Sequence, residues 1–293
     1  MEIFTSIRDH FDGPVEAVIF DYDGTLGDSR RLQYQWLKLM YKKHGDKQKR
    51  FRKLSKEFWK AYNEEYKVQG LRGIYENIVH ADWDKHEKDI WECYNEFFEN
   101  NKIPMIEVDG TNLADVIERI HWNGQVSENR PVRLRLAINT LKGWKNVRPS
   151  LEAADVLQYF DAITTYDDVL RYVGDGALKK NQIDTDDIEV IRKQVPADVA
   201  SYSEKPNSIA SMICIARLNV DPRRIIAIED TSNGIRAYKP VRTAKGKYNV
   251  FVIGVGYPGG FESAETLREA GADAIAHHPN EIYRIIELAG GFS

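Results

Sequence analysis

Only two cysteines, Cys93 and Cys214, occur among the 293 residues. Two are too few for a disulfide framework. Both fall in helical, apolar surroundings, which predicts free buried thiols in a reduced protein. No apolar run reaches the ~20 residues that a membrane span needs, and Met1 to Arg8 lack the long apolar stretch of a secretory signal. Positive charge is not in excess: 41 Lys and Arg against 45 Asp and Glu give a net charge of −4, so no nucleic-acid surface is indicated. There is no internal repeat and no low-complexity tract. The expectation is a soluble, cytoplasmic protein without nucleic-acid or membrane partners. Its oligomeric state is left open.

Against these absences one short segment stands out. The apolar run Val15 to Phe20 has strand character and ends in Asp21-Tyr22-Asp23-Gly24-Thr25. A buried strand that delivers two carboxylates to its own mouth is costly unless a cation or a reaction uses them. Asp-Gly after a strand is also ordinary turn chemistry, and that reading stays open for this segment alone.

The rest of the chain alternates. After Pro104, a helix with Leu113, Val116, Ile117 and Ile120 on one face precedes a strand, Leu134 to Ile138. Leu151 to Tyr159 reads as a helix, Ala162 to Thr164 as a strand and Ile209 to Leu218 as a helix. Ile225 to Ile228 and Val250 to Val255 read as strands, Ala264 to Ala270 as a helix stopped by Gly271, and Ala274 to Ala276 as a last strand. Strands alternating with helices imply right-handed crossovers and a Rossmann-like parallel sheet covered on both faces, an α/β core. Between roughly 28 and 107 the pattern is different. Tyr34, Leu37 and Tyr41 share a helical face that ends at Gly45. Phe51, Leu54, Phe58, Ala61 and Tyr62 form a second stripe, and Ile90, Tyr94 and Phe97 a third. Residues 28–107 are therefore expected to be an all-helical domain inserted into a core made of 1–27 and 108–293.

In such sheets working residues gather at the carboxyl ends of the strands. The rule selects Asp21 and Asp23, Asn139-Thr140 after the second core strand, and Glu229-Asp230 after Ile225 to Ile228. Lys205-Pro206 opens the helix before that strand. If Asp21, Asp23 and Asp230 converge, each pair at ~4 Å repels by about 4 kcal/mol at an effective dielectric near 20. A hard divalent cation converts that repulsion into ligation, and an all-oxygen set without His or Cys suits Mg²⁺ better than zinc. A phosphoryl substrate then fits. One aspartate can attack, a second can carry the proton, and Thr140 and Lys205 can hold the remaining phosphoryl oxygens. Thr140 could instead cap a helix, and Glu229 could support a ligand rather than be one.

Asp21-Tyr22-Asp23-Gly24-Thr25, the Thr140 strand end, Lys205-Pro206 and Glu229-Asp230-Thr231-Ser232-Asn233-Gly234 together resemble, in order and context, the four motifs of the haloacid dehalogenase (HAD) superfamily. The resemblance is to the branch with phosphoglycolate phosphatase and β-phosphoglucomutase, and it covers the α/β core. It implies that Asp21 is a nucleophile forming a phosphoaspartyl intermediate and that Asp23 is the general acid/base, with its carbonyl on Mg²⁺. It further implies that Thr140 and Lys205 bind the phosphoryl group, and that Asp230 completes the metal site with Glu229 beside it. The inserted helices would be a substrate-selecting cap. The expected function is Mg²⁺-dependent hydrolysis of a small phosphorylated metabolite, with a sugar phosphomutase or a non-catalytic scaffold as alternatives. A dehalogenase is disfavoured, because those relatives do not need Asp23.

Gly254-Val255-Gly256-Tyr257-Pro258-Gly259 has the spacing of a dinucleotide fingerprint, but no helix is expected to open at its glycines, so a loop at the site rim is the better reading. Arg72 could meet a second anionic group, though an exposed, solvated arginine is favoured. The stretch from Tyr172 to Ser203 is longer than the family's usual link, with Asp184-Thr185-Asp186-Asp187 before Ile188, Ile191 and Val195 reading as a capped short helix.

Overall fold

A computed structural model describes the chain except residues 54, 56–57, 59–61, 63–69, 127–131, 173–204, 240, 244–245 and 293, and it leaves undescribed the side chains of 8 and 241–243. It divides into two compact units, one of Met1–Gly27 with Met105–Ser293 and the other of Asp28–Pro104.

The larger unit is built on strands β1 (Glu2–Ile3), β2 (Ala17–Phe20), β5 (Arg135–Asn139), β6 (Ala162–Thr164), β7 (Ile225–Glu229), β10 (Phe251–Val255) and β11 (Ala274–Ala276), with small hairpins β3 (Glu107–Val108)/β4 (Thr111–Asn112) and β8 (Val241–Thr243)/β9 (Gly246–Tyr248). The seven-stranded sheet has the order β1-β11-β10-β7-β2-β5-β6. All its pairings are parallel except that of the edge strand β1 with β11. Every residue of β2, β7, β10 and β11 is buried. Apart from Glu229, which closes β7, these are unbroken apolar runs, as a parallel sheet covered on both faces requires. Ala17, Ile19, Ala227, Val252 and Ile275 face one core, where Cys214, Ile215 and Leu218 of helix Ile209–Leu218 pack with Ile235 and Leu267. A second pair of helices, Leu113–Asn123 and Pro279–Leu288, pack together through Arg119, which hydrogen-bonds Asn280 at 2.9 Å and lies over the Tyr283 ring. The strand order runs outward from β2 to β5 and β6, then returns to β7 beside β2 and continues the other way. That reversal sets the carboxyl ends of β2 and β7 side by side.

The smaller unit contains helices Arg30–His44, Gly70–Val79 and Trp83–Asn100, and no strand among its described residues. Its buried side chains include Trp36, Leu37, Met40, Tyr75, Ile78, Ile90 and Phe98. The buried stripe of the first helix is thus Trp36, Leu37 and Met40, one step away from the expected Tyr34 and Tyr41. Those two tyrosines instead meet Phe51 with tilted rings, and Tyr34 also meets Phe58 edge-on. Gly45 caps this helix as expected. Leu54 and Ala61 lie outside the described residues.

Other local expectations need correcting. The helix anticipated over Leu151 to Tyr159 is really Trp144–Ala153, followed by a separate 3-10 turn at Leu157–Tyr159. Pro149 lies inside it, and a proline mid-pattern argues against helix in a sequence reading. Val147, Ser150 and Leu151 nevertheless bury one face across the proline, and Asp155, with φ of 53°, ends the run. The β3/β4 hairpin turns at Asp109-Gly110, both with positive φ, the ordinary Asp-Gly hairpin signal. The capped helix expected near Asp184 lies outside the described residues.

Candidate active site

β2 continues its ladder one residue beyond its end, Asp21 N–H donating to Ile228 O at 2.9 Å. This fixes Asp21 beside the end of β7. The chain then turns tightly: Leu26 and Gly27 both donate to Tyr22 O, and Gly24 donates to Gly27 O. Gly24 has φ of 78°, and a Cβ there would overlap Asp230 Oδ2. A Cβ on Gly234 would likewise overlap Glu229 Oε2. Both motif glycines are therefore required by the closeness of an acid.

Lys205 Nζ lies 2.6 Å from Asp21 Oδ1 and 2.7 Å from Glu229 Oε1, and 3.5 Å from Asn139 O. Its side chain is 8% exposed and that of Glu229 is 0% exposed, so this is a buried three-residue charge cluster. Asp230 joins it. One oxygen from each of Asp21, Glu229 and Asp230 lies within 4.8 Å of the others. Asp230 Oδ2 accepts the Phe261 N–H at 2.8 Å.

The electrostatics follow from burial. The pKa of Asp21 is raised because desolvation outweighs the attraction of Lys205. Glu229 is pushed up to about 8, again by burial first, with Lys205 opposing and Asp21 adding to the rise. Asp230 is raised well above the usual carboxylate range by burial, then by Asp21 and Glu229. Burial alone would lower Lys205, but Asp21 and Glu229 hold it firmly protonated. Three carboxylates thus face one ammonium, and without a further cation some of them must hold protons. Glu229 Oε2 is buried with no hydrogen-bond partner. An all-oxygen set with an orphaned carboxylate oxygen and a charge deficit fits a hard divalent cation.

Asp23 and Thr140 stand apart from that trio. The Asp23 side chain is 22% exposed and pairs with Lys142 Nζ at 3.1 Å. Thr140 is buried at the end of β5; its N–H donates to Thr164 O and its Oγ1 accepts the Lys142 N–H at 3.1 Å. The hydroxyl hydrogen of Thr140 is left to donate elsewhere.

The sequence reading missed Lys142, although it lies only two residues beyond the selected Thr140. It also missed two partners of the selected Asn139, whose Nδ2 donates to Tyr238 Oη at 2.8 Å and to Ser211 Oγ at 3.3 Å, all three residues buried. The loop after β10 is built into the site rather than into a nucleotide cradle. Tyr257 is buried with its hydroxyl on Thr25 O at 3.0 Å, and the next helix opens only at Ala264, capped by Ser263. Arg72 is half exposed and pairs with Glu76 and Asp84 on the surface of the smaller unit.

No family model matches the chain, and no curated protein matches it. Solved structures do. A HAD-family hydrolase from Deinococcus radiodurans, with bound phosphate and sodium, is 16% identical, covers 96% of this chain and 99% of its own, and superposes with a TM-score of 0.57. A Thermotoga maritima protein provisionally named a β-phosphoglucomutase is 19% identical over 93% of this chain and 99% of its own, with a TM-score of 0.54. A mutant of CbbY from Rhodobacter sphaeroides, in complex with xylulose-(1,5)bisphosphate, is 18% identical over 91% and 96%, with a TM-score of 0.52. The likeness is one of fold: the chain has the Rossmann-like HAD fold. Among the described residues no helix is long and apolar enough to cross a membrane.

Proposed function

We propose that this chain is a Mg²⁺-dependent phosphomonoesterase acting on a small phosphorylated metabolite. The observation that carries the reading is the buried Asp21–Lys205–Glu229 cluster with Asp230 beside it, at the adjoining carboxyl ends of β2 and β7. The motif resemblance and the fold support it. So does the small-phosphate chemistry of the neighbours, one holding phosphate and another a bisphosphorylated sugar.

Asp21, Asp230, the Asp23 carbonyl and Glu229 would hold the Mg²⁺, which when bound supplies positive charge to a phosphoryl oxygen and removes the repulsion among the acids. Asp21 attacks phosphorus, its carboxylate oxygen forming the new P–O bond as the bond to the leaving oxygen breaks. Asp23 delivers a proton to that oxygen. Water then attacks the aspartyl phosphate, giving its proton to Asp23 and releasing phosphate and free Asp21. Lys205 and the Thr140 hydroxyl bind the other phosphoryl oxygens, lysine as a compact charge. We assign substrate selection to the helical unit Asp28–Pro104, which the chain inserts directly after the Asp21 loop.

A phosphomutase uses the same aspartates but returns the phosphoryl group to a sugar, and the likeness to the Thermotoga protein favours it as the second reading. The test is phosphate release from p-nitrophenyl phosphate and a panel of metabolite phosphates, beside hexose-phosphate isomerisation. Phosphatase activity abolished by EDTA, restored by Mg²⁺ and lost in Asp21→Asn supports the reading. Isomerisation without net phosphate release supports the mutase, and no turnover across the panel rejects both.

A further inference from the structure

We propose that Lys142 is the positioning residue for Asp23, holding its carboxylate where it can meet the leaving oxygen. The proposal rests on the reading of Asp23 as general acid/base.

The Lys142 side chain is 3% exposed, and its Nζ lies 3.1 Å from Asp23 Oδ1. A lysine is almost never buried to this degree unless paired. Asp23 Oδ1 is itself buried and accepts no aligned hydrogen bond. The contact is therefore one of charge on charge. Among the described residues no other cation pairs with Asp23, so this ammonium sets the direction of the carboxylate. Lys142 is itself fixed at both ends of its backbone. Its N–H donates to Thr140 Oγ1 at 3.1 Å, and its carbonyl accepts the Tyr166 N–H at 3.1 Å. Thr140 in turn is tied to Thr164 O of the neighbouring strand β6. A continuous chain of contacts thus runs from β6 through Thr140 and Lys142 to Asp23. The turn that presents the Thr140 hydroxyl also anchors the cation that aims Asp23.

General-acid catalysis needs its carboxyl within hydrogen-bond reach of the leaving oxygen, so the direction of Asp23 matters as much as its presence. With Lys142 gone, Asp23 is free to leave that direction. The loss should fall on leaving groups that need a proton and spare those that depart as stable anions. Ground-state binding of the phosphoryl group, which falls to Thr140 and Lys205, should change little.

The experiment compares wild type, Lys142→Met, Lys142→Arg, Asp23→Asn and the double variant Asp23→Asn/Lys142→Met on phenyl phosphate and p-nitrophenyl phosphate. Crystal structures of wild type and Lys142→Met give a readout apart from turnover. The expected result is a kcat/KM for phenyl phosphate lowered ~10–100-fold in Lys142→Met, with a much smaller loss on p-nitrophenyl phosphate and inhibition by inorganic phosphate nearly unchanged. This ratio ends at phosphoryl transfer to Asp21 and so excludes the hydrolysis step common to both substrates. Lys142→Arg should recover most of the loss, the double variant should be no worse than Asp23→Asn, and the Asp23 side chain should leave its wild-type rotamer in Lys142→Met. If Asp23→Asn shows the leaving-group split but Lys142→Met lowers both substrates equally or leaves Asp23 unmoved, the inference is overturned while the acid/base reading stands. If Asp23→Asn shows no split, the acid/base reading fails and the inference goes with it. Should Lys142→Met not fold, Lys142→Gln carries the same comparisons.

Discussion

Lys205 Nζ sits 2.6 Å from Asp21 Oδ1, and the same ammonium reaches Glu229 Oε1 at 2.7 Å. One buried lysine thus neutralises the acid proposed to attack phosphorus while anchoring a fully buried glutamate on the adjacent strand. Removing it leaves two buried carboxylates without a counter-charge. Lys205→Met is expected to destabilise the protein by about 3–5 kcal/mol, the cost typical of stripping one partner from a buried pair. Urea unfolding at neutral pH measures this; a loss below about 1 kcal/mol would mean that the pair is far better solvated than its burial indicates.

Asp230 adds a third carboxylate to a cluster that already exceeds its cations. Asp230→Asn should leave the metal-free protein at least as stable as wild type, because it removes buried repulsion while the amide oxygen can still accept the Phe261 N–H. It should also abolish the thermal stabilisation by Mg²⁺, expected for wild type to be about 2.7 kcal/mol at a hundred times the dissociation constant. Thermal melts with and without Mg²⁺ check both halves.

Gly24 is a second handle on the same carboxylate. An alanine there would carry the left-handed backbone cost of roughly 1–2 kcal/mol and press its Cβ into Asp230 Oδ2. Gly24→Ala should therefore weaken the Mg²⁺ response as well as lower stability. An equally destabilised core variant such as Ile285→Val should keep the metal response, and melts of the two with added Mg²⁺ separate the causes.

Asp168 gives the fold an acid-sensitive anchor away from the cluster. Burial by itself would raise its pKa, but Arg217 at 2.6 Å and the Thr165 N–H and hydroxyl outweigh it, so the folded pKa is lowered. A lowered folded pKa contributes stability that is present above the unfolded value of about 4 and is lost as pH falls through the folded value. Asp168→Asn should cost about 1–3 kcal/mol at pH 7, and the gap to wild type should narrow below pH ~4. Paired denaturant curves at pH 7 and pH 3 test the sign.

The buried strands β2, β7 and β10 were legible because each is an unbroken apolar run, and the acids closing β2 and β7 stood out against that background. The alternation placed them at carboxyl ends but left their convergence conditional; the reversal of strand order that sets the ends of β2 and β7 side by side belongs to the three-dimensional topology. Lys142 was not legible: a lysine shortly after a strand usually marks a solvated turn, and only the three-dimensional fold buries it beside Asp23. The antiparallel edge strand Glu2–Ile3 depends on pairing with Ala274 and Ile275 far along the chain, which no local pattern encodes. Helix Pro279–Leu288 carried readable signals, a proline at its first turn and a stripe of Ile282, Ile285 and Ile286, that the sequence reading passed over.

The central claim is that Asp21 takes the phosphoryl group onto its own carboxylate. Acid-quenching the Mg²⁺-loaded protein during turnover of p-nitrophenyl phosphate, reducing it with borohydride and mapping its peptides by mass spectrometry tests this directly, since an acyl phosphate is reduced to homoserine while a free aspartate is not. The account predicts homoserine at position 21, absent when substrate is omitted. Turnover with unmodified Asp21, or homoserine at another acid, would contradict it.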